Sequence, residues 1–445
     1  MSRVVNRRNF LSITAAAGIG LATSKAIAGQ TNAGNGRGLN VAVIGAGVQG
    51  ETLMTTCLKM DKSSGVRLKA VCDIWKDLTL SRILRVLERF GHEARGYVDY
   101  RQMLEEEKDL DAVIIATPDF CHAEQTVACL KAGLNVYCET PMSNTAESAR
   151  EMVKAARQTG KLLQIGHQRR SDPRYVHCQE NLLNTSRLLG RITAVNAQWN
   201  QSARADRGWS RRRQIDPETL AKYGYTSMHD FKNWMWYKAL GAGPVVDFGV
   251  HQIDVINWFL STRPKSVTAR GGTYYYEKKT HEWADVVMAI LDYETETGPV
   301  GAHYQMVTTS GYGGHFEAFM GDQGTLEISQ SSRGNAVYRD PDAPDWDKWV
   351  RLDFLHRPGV EAPKEDASVI EVGETKLPAK YTIPVVLEVP YYHPHLQNFF
   401  DAVRGKAHLT CSAEIAYAAT ISALKLNEAV ATDHTCVFKS EEFLL

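Results

Sequence analysis

The sequence predicts an α/β protein with two sheets. The first is a doubly wound parallel sheet at the N-terminal side. The second is an open mixed or antiparallel sheet in a C-terminal α/β domain. Three observations predict this. Short apolar runs alternate with helical patterns from Val41 to Ile165, the rhythm of repeated βα units whose strands are buried on both faces. The first run is followed at once by a glycine triplet. After residue 172 the pattern changes to neighbouring strand-like runs joined by turns. At 445 residues the chain is too long for one ordinary core, which supports two domains.

The first strand, Val41-Ala42-Val43-Ile44, opens the stretch that organises the rest. Gly45, Gly47 and Gly50 follow in G-x-G-x-x-G spacing, with Val48 and Gln49 inside the loop. A second strand, Leu68 to Cys72, ends at Asp73, 23 positions beyond Gly50. That context gives the triplet a mechanism. Gly45 allows a tight turn, Gly47 lets the backbone approach a pyrophosphate, and Gly50 lets helix and strand pack closely. Asp73 would accept hydrogen bonds from ribose hydroxyls and repel an extra phosphate, which favours NAD over NADP. A ligand-free glycine-rich turn is the plain alternative.

Composition is that of a globular protein, 44% hydrophobic and 23% charged. Lys+Arg and Asp+Glu are equal at 51 each, so nothing points to nucleic acid or a membrane surface as partner. Residues 1–28 read as an export signal and not as part of the fold. Asn6-Arg7-Arg8-Asn9-Phe10-Leu11 matches a twin-arginine motif, an Ala/Gly-rich apolar segment follows, and Ala26-Ile27-Ala28 is a small-residue cleavage site. The expected location is periplasmic or extracytoplasmic, and a nicotinamide cofactor there is expected to be tightly held and recycled. The eight cysteines make no C-x-x-C pair and read as small buried hydrophobes.

The elements follow in order. Asp77 to Phe90 has helical spacing, and Asp99 caps a short helix. Ala112 to Ala116 is a strand, Phe120 to Lys131 a helix ended by Gly133, and Leu134 to Cys138 a strand. Thr145 to Thr159 is a helix stopped by Gly160, and Leu162 to Ile165 a strand. Ligands bind such sheets beyond the strands' carboxyl ends. Those ends carry Thr117-Pro118, Glu139-Thr140-Pro141 and Gly166-His167-Gln168-Arg169. A domain boundary is placed between 167 and 168: residues 39–167 bind the dinucleotide, and 168–445 form the substrate domain. There, Asp172 to Leu189 reads as a helix and Ile192 to Trp199 as a strand. A polar and aromatic excursion runs to about Leu240, then a helix from Gly243-Pro244 to about Phe259. Strand-like runs follow at Ser266–Tyr276, Trp283–Tyr293, Pro299–Thr308, His315–Gly321 and Thr325–Ser329. Residues 331 to 386 read as a long surface excursion. Two helices, about Tyr392–Arg404 and Ser412–Thr432, close the chain.

The helix after Gly243 carries Asp247, Gly249, His251 and Asp254. At about 100° per residue, the two carboxylates and the imidazole fall within about 60° of one another. The remaining faces are apolar, so this is a buried helix with one polar stripe. A His one turn after an Asp suits general acid/base work. A structural Asp–His pair fits the spacing equally well.

In order along the chain stand Gly45-x-Gly47-x-x-Gly50, Ala116-Thr117-Pro118 with His122, Glu139-Thr140-Pro141, Gln168-Arg169-Arg170 and Asp247-x-Gly249-x-His251-x-x-Asp254. Together they resemble the glucose–fructose oxidoreductase / inositol dehydrogenase (Gfo/Idh/MocA) family over roughly Leu39 to Ser329. The resemblance implies a Rossmann domain, a nicotinamide cofactor, sugar, glycoside or cyclitol substrates, and a dimer or tetramer built through the open sheet. By that resemblance His251 takes or gives the hydroxyl proton and Asp247 positions the substrate or that His. Thr117, Pro118, His122, Glu139 and Gln168 would line the cofactor; Arg169, Arg170 and Asp254 would meet the substrate.

One departure matters. The family's usual E-K-P has a lysine where this chain has Thr140. A threonine hydrogen-bonds but supplies no cation. Either His251 acts with less help, or Arg169 or Arg170 substitutes, or the chemistry differs. The third option is a redox-neutral, NAD-dependent glycosidase cycle of oxidation, elimination and hydride return. A non-catalytic sugar or nucleotide binder is the reading from another class. The stretch Trp199 to Trp258 holds five of the nine tryptophans, which fits ring stacking on a sugar and fits a packed flap or a subunit contact equally well. His393-Pro394-His395 has no spaced partner ligands, and no metal is expected.

Overall fold

The computed structural model describes residues 38–60, 64–331, 334–357 and 377–445. The export signal predicted at 1–28 lies outside them.

The first sheet is parallel throughout, with strand order β3-β2-β1-β4-β5-β6. Its strands are β1 (Leu39–Ile44), β2 (Val66–Cys72), β3 (Arg95–Tyr97), β4 (Ala112–Ile115), β5 (Asn135–Cys138) and β6 (Leu163–Ile165). β1 and β4 are buried at every position, as near-continuous apolar runs require when helices cover both faces. The strand order reverses between β1 and β4. In register, Ile44 sits beside Cys72 on one side and Ile115 on the other. The glycine loop, Asp73 and Thr117 therefore emerge side by side at one crest. Capping follows the predicted signals: the Asp99 side chain accepts from Arg101 N, and Gly160 ends its helix at φ 64°.

The second sheet has nine strands in the order β14-β13-β12-β11-β7-β10-β9-β8-β15. Their spans are β7 (Ile192–Asn200), β8 (Pro264–Gly272), β9 (Val286–Thr295), β10 (Gly298–Val307), β11 (His315–Gly321), β12 (Gly324–Ile328), β13 (Ala336–Arg339), β14 (Ala379–Tyr381) and β15 (Cys436–Val437). β7 and β10 pair in parallel and every other pairing is antiparallel, so the sheet is mixed. Alternation sets its faces. Val287, Ala289, Leu291 and Tyr293 of β9 are buried, whereas Met288 and Ile290 are about half exposed. The inner face packs on the Pro244–Phe259 helix through Val250, Ile253, Ala302, Tyr304 and Phe319.

Three expectations need correction. The single helix expected from Asp172 to Leu189 is a short helix, Pro173–His177, that widens into a π-helix at Cys178–Thr185. The surface excursion expected over 331–386 contributes β13 and β14, and Val337, Trp346, Leu355 and Tyr381 join the second core. Irregular spacing there hid strands whose partners lie at the sheet edge; residues 358–376 lie outside the described residues. Finally, the helix His393–Val403, placed by sequence in the second domain, buries Leu396, Phe399 and Phe400 against Leu39, Val41 and Ile114 of the first core. The chain thus returns to the dinucleotide sheet at its end, which no local pattern records.

That return gives a test. Phe399→Ala removes a ring that is 0% exposed. It should destabilise the protein by about 3–5 kcal/mol in chemical denaturation, against well under 1 kcal/mol if the helix were peripheral.

Candidate active site

The glycines divide the work as their spacing requires. Gly45 has φ 89°, and a Cβ there would lie 2.6 Å from the Ala116 carbonyl oxygen. A Cβ at Gly50 would run into the Gly45 carbonyl. A Cβ at Gly47 would meet nothing within 4 Å. Gly45 and Gly50 are thus needed by the fold, while Gly47 faces open space where a pyrophosphate can approach. Gly47 also precedes the helix Val48–Lys59 with no side-chain cap, which leaves that helix's first N–H groups available to an anion. Val48 stands exposed at the same end. Asp73 accepts from Ala46 N at 2.8 Å and from Trp75 N at 2.7 Å, which fixes its carboxylate at the end of β2. A dinucleotide fits this cradle.

Around it, Glu139 accepts from Gln49 Nε2 at 2.9 Å, and the Tyr392 hydroxyl donates to Gln49 Oε1 at 3.4 Å. Thr117 Oγ1 donates to Gln125 at 2.7 Å. His122 differs from expectation. Its two ring nitrogens lie 2.8 Å from the carbonyls of Pro141 and Thr117, and it is 1% exposed. It braces the loops that carry Thr117-Pro118 and Thr140-Pro141, and offers the cofactor no free polar atom. Gln168 is also buried, with Nε2 on Gln330 at 3.0 Å.

The polar stripe of the Pro244–Phe259 helix faces this crest. His251 Nε2 lies 3.1 Å from Thr140 Oγ1 at the end of β5. Burial, then the nearby Arg169 guanidinium, hold His251 well below the usual imidazole range, so it is neutral and ready to accept a proton. Asp247 is pushed up to about 7 by burial, against an opposing pull from Arg207. Glu139 and Asp119 are likewise pushed to about 7, first by burial and also by the Asp247 charge. Trp199 stands beside His251, with ring centres 6.2 Å apart, stacked between Phe248 at 5.0 Å and His315 at 4.7 Å. Burial lowers His315 to about 4, so it too is neutral.

The arginines correct the sequence reading. Arg169 is 2% exposed and paired with the buried Glu317. Arg170 holds both oxygens of Asp254, at 2.8 and 3.0 Å from Nε. A buried charge must be compensated, and these residues compensate one another. Arg169, Arg170 and Asp254 are therefore not free substrate ligands, and neither arginine is a free stand-in for the family lysine. His167, Asp254 and Cys411 place one potential ligand atom each within 4.8 Å of one another. Arg170 on both Asp254 oxygens, and a Cys411 thiol raised by burial, disfavour a cation there. His395 is a brace, 2.7 Å from Ser171 Oγ and 2.9 Å from the Ile165 carbonyl.

The excursion after Trp199 docks on the first sheet. Trp75, two residues past Asp73, shares a separate small core with Ile215, Leu220, Tyr225, Met228 and Leu240. Trp75 Nε1 donates to the Arg213 carbonyl at 2.6 Å. The Tyr223 hydroxyl donates to the Val98 carbonyl at 3.2 Å, and Ala242 N donates to Asp119 Oδ2 at 2.9 Å. This segment covers the Asp73 side of the crest. Sequence reading missed Asp119 and Trp75, and gave His167 only as a strand-end residue without a role. Asp119 follows Thr117-Pro118 directly, and that adjacency was the available signal.

Two models of one family match the chain. The first, described as "Oxidoreductase family, NAD-binding Rossmann fold", covers residues 39–167. The second, the GFO/IDH/MocA C-terminal domain, covers residues 183–327. The chain belongs to the Gfo/Idh/MocA family. It is 29% identical over 266 residues to the inositol 2-dehydrogenase of Rubrobacter xylanophilus, a match covering 59% of this chain and 64% of that protein. It is 29% identical over 261 residues to the D-glucoside 3-dehydrogenase of Escherichia coli, covering 57% and 64%. The chain thus spans less than two thirds of the length of these relatives. In fold it is similar to the WlbA dehydrogenase of Bordetella pertussis in complex with NADH and UDP-GlcNAcA (TM-score 0.66, 16% identity, 91% of this chain and 98% of that one). It is also similar to myo-inositol 2-dehydrogenase from Lactobacillus plantarum (TM-score 0.63, 18% identity, 91% and 100%). In this family, the N-terminal sheet is the NAD-binding domain.

Two outcomes follow. Asp247, Glu139 and Asp119 keep their protons up to about pH 7 when folded, but ionise near pH 4 when unfolded. Through these three groups the folded state binds more protons between those values, so their contribution to stability falls as pH rises from about 4 to about 7 and levels off above. His167, His315 and His395, lowered to about 4 by burial, contribute in the opposite sense over the same window. Asp247→Asn should lose less melting temperature across that window than the wild type. Gly47→Val should leave the melting temperature near that of the wild type, yet weaken NAD binding by about tenfold or more in calorimetric titration.

Proposed function

We propose that this protein is an NAD-dependent oxidoreductase acting on a CH–OH group of a sugar, glycoside or cyclitol. The observation that carries the reading is that the Gly47 cradle and the His251 imidazole address the same crest of the first sheet. When bound, NAD accepts the hydride from the substrate carbon and can return it. His251 Nε2 takes the hydroxyl proton as the C–H bond breaks. Thr140 Oγ1, 3.1 Å from that nitrogen, hydrogen-bonds the same oxygen without charge. Asp247 lies one turn before His251 and, near neutral pH, can both donate to and accept from a substrate hydroxyl. The relatives reported above are named dehydrogenases, which does not favour the glycosidase alternative.

The cofactor is tightly held and recycled in this reading. The small core that joins Trp75 to residues 215–240 supports it, because opening the Asp73 side costs that core. Residues 1–28 direct export by the twin-arginine route, where a second sugar reoxidises or re-reduces the bound nucleotide. The working form is a homo-oligomer, a dimer or tetramer.

Protein purified without added NAD should carry nicotinamide nucleotide, read by absorbance and by mass spectrometry of the released ligand. Protein with no nucleotide, and no binding by titration, rejects the proposal. With myo-inositol and methyl glucosides as probes, His251→Ala should cut turnover by about 10²-fold or more. Trp75→Ala should speed nucleotide release while leaving the hydride-transfer step unchanged.

A further inference from the structure

Behind His251 runs a line of buried polar groups with no task in the reaction as written. Arg170 grips Asp254 from Nε at 2.8 and 3.0 Å and from Nη2 at 2.9 Å. Asp254 Oδ2 lies 3.6 Å from His167 Nδ1. The His167 ring meets the His251 ring edge to face, 5.7 Å between centres at 74°. Asp254 and His251 share one helix, three residues apart, whereas His167 comes from the loop after β6. The line therefore joins both sheets.

Three atoms in this line stand out. Both ring nitrogens of His167 and Nδ1 of His251 are sealed from solvent and have no hydrogen-bond partner. His167 as a whole is 1% exposed. Leaving such an atom unpaired is costly, and a phenylalanine would fill a similar volume without that cost. A small ring rotation, or one bridging water, closes a gap of this size between two imidazoles. The charges around the pair are ordered. Arg169, His315 and His395 face His251, while Asp254, Arg169 and Arg170 face His167. Asp247 lies on the His251 helix, and Cys411 sits beside Asp254. Among the described residues, Asp254 is the one carboxylate paired with His167, so it favours a proton on the facing Nδ1. That leaves His167 Nε2 as an acceptor.

We propose that His167 is a positioning residue for His251. Its bare Nε2 accepts, directly or through one water, the proton on His251 Nδ1. His251 is then held in the tautomer whose Nε2 is bare and faces Thr140 and the substrate hydroxyl. Arg170 and Asp254 hold His167 for this task. The inference rests on His251 acting as the base. It also explains how the site works with a threonine at position 140: the missing cation is answered by fixing the base, so that the hydroxyl proton meets a lone pair in every molecule.

The test reads the tautomer, not turnover. Protein labelled with ¹⁵N-histidine and carrying its purified nucleotide is examined by two-bond ¹H–¹⁵N correlation near neutral pH. His251 is assigned by the signal lost in His251→Gln. Wild-type His251 should carry its proton on Nδ1 alone. His167→Phe should convert it to a mixture of both tautomers. His167→Gln, which supplies an amide oxygen, should restore the single form. A wild-type His251 protonated on Nε2 overturns the proposal without any variant, and so does an unchanged tautomer in folded His167→Phe. Absent redox turnover beside the expected tautomer shift strikes the redox reading alone.

Discussion

The contact between Thr140 Oγ1 and His251 Nε2, 3.1 Å long, is the point at which two independent sheets become one site. Thr140 comes from the end of β5, where a parallel sheet presents its ligands. His251 comes from a helix that is apolar on its other faces and is pressed against the second sheet. Neither group can approach the other unless both cores are formed and docked. The chemistry of this site is therefore a consequence of packing. A buried helix tolerates one polar stripe, and that stripe has a single place to point.

Burial then sets the proton inventory. His251, His167, His315 and His395 are all driven toward the neutral form, chiefly by desolvation. Asp247, Glu139 and Asp119 are driven toward the protonated form by the same cause. Two buried arginines are consumed in ion pairs, Arg169 with Glu317 and Arg170 with Asp254. A crevice with neutral bases and nearly neutral acids can exchange protons with an uncharged hydroxyl at little electrostatic cost.

The excursion after Trp199 adds a second level of organisation. Its aromatic content serves mainly its own small core with Trp75, while Trp199 of β7, before the excursion begins, stands beside His251. Tyr223, Tyr225 and Leu240 are engaged in docking on the first sheet and not in lining a sugar site. A composition rich in tryptophan and tyrosine is equally good for stacking on a ligand and for sealing a flap. Only the positions of the rings separate the two uses.

The sequence by itself determined the two sheets, the glycine turn, Asp73 at the end of β2, and the stripe carrying Asp247, His251 and Asp254. These follow from periodicity and from residues whose backbone or chemical needs are local. It also showed that Thr140 departs from the family lysine. What it could not decide was partnership. Arg169, Arg170 and Asp254 read as substrate ligands because charges near a site suggest ligands, and tertiary contacts consumed them as internal ion pairs. His122 became a brace for the same reason. His167 was visible as a strand-end residue, but its value depends on Asp254 and His251 arriving from more than eighty residues away. The late helix at 393–403 and strands β13 and β14 joined cores that no nearby pattern announces. Local preference is encoded within a turn or a strand. Compensation of buried charge and filling of a core are settled between segments distant in the chain, and only the folded arrangement decides them.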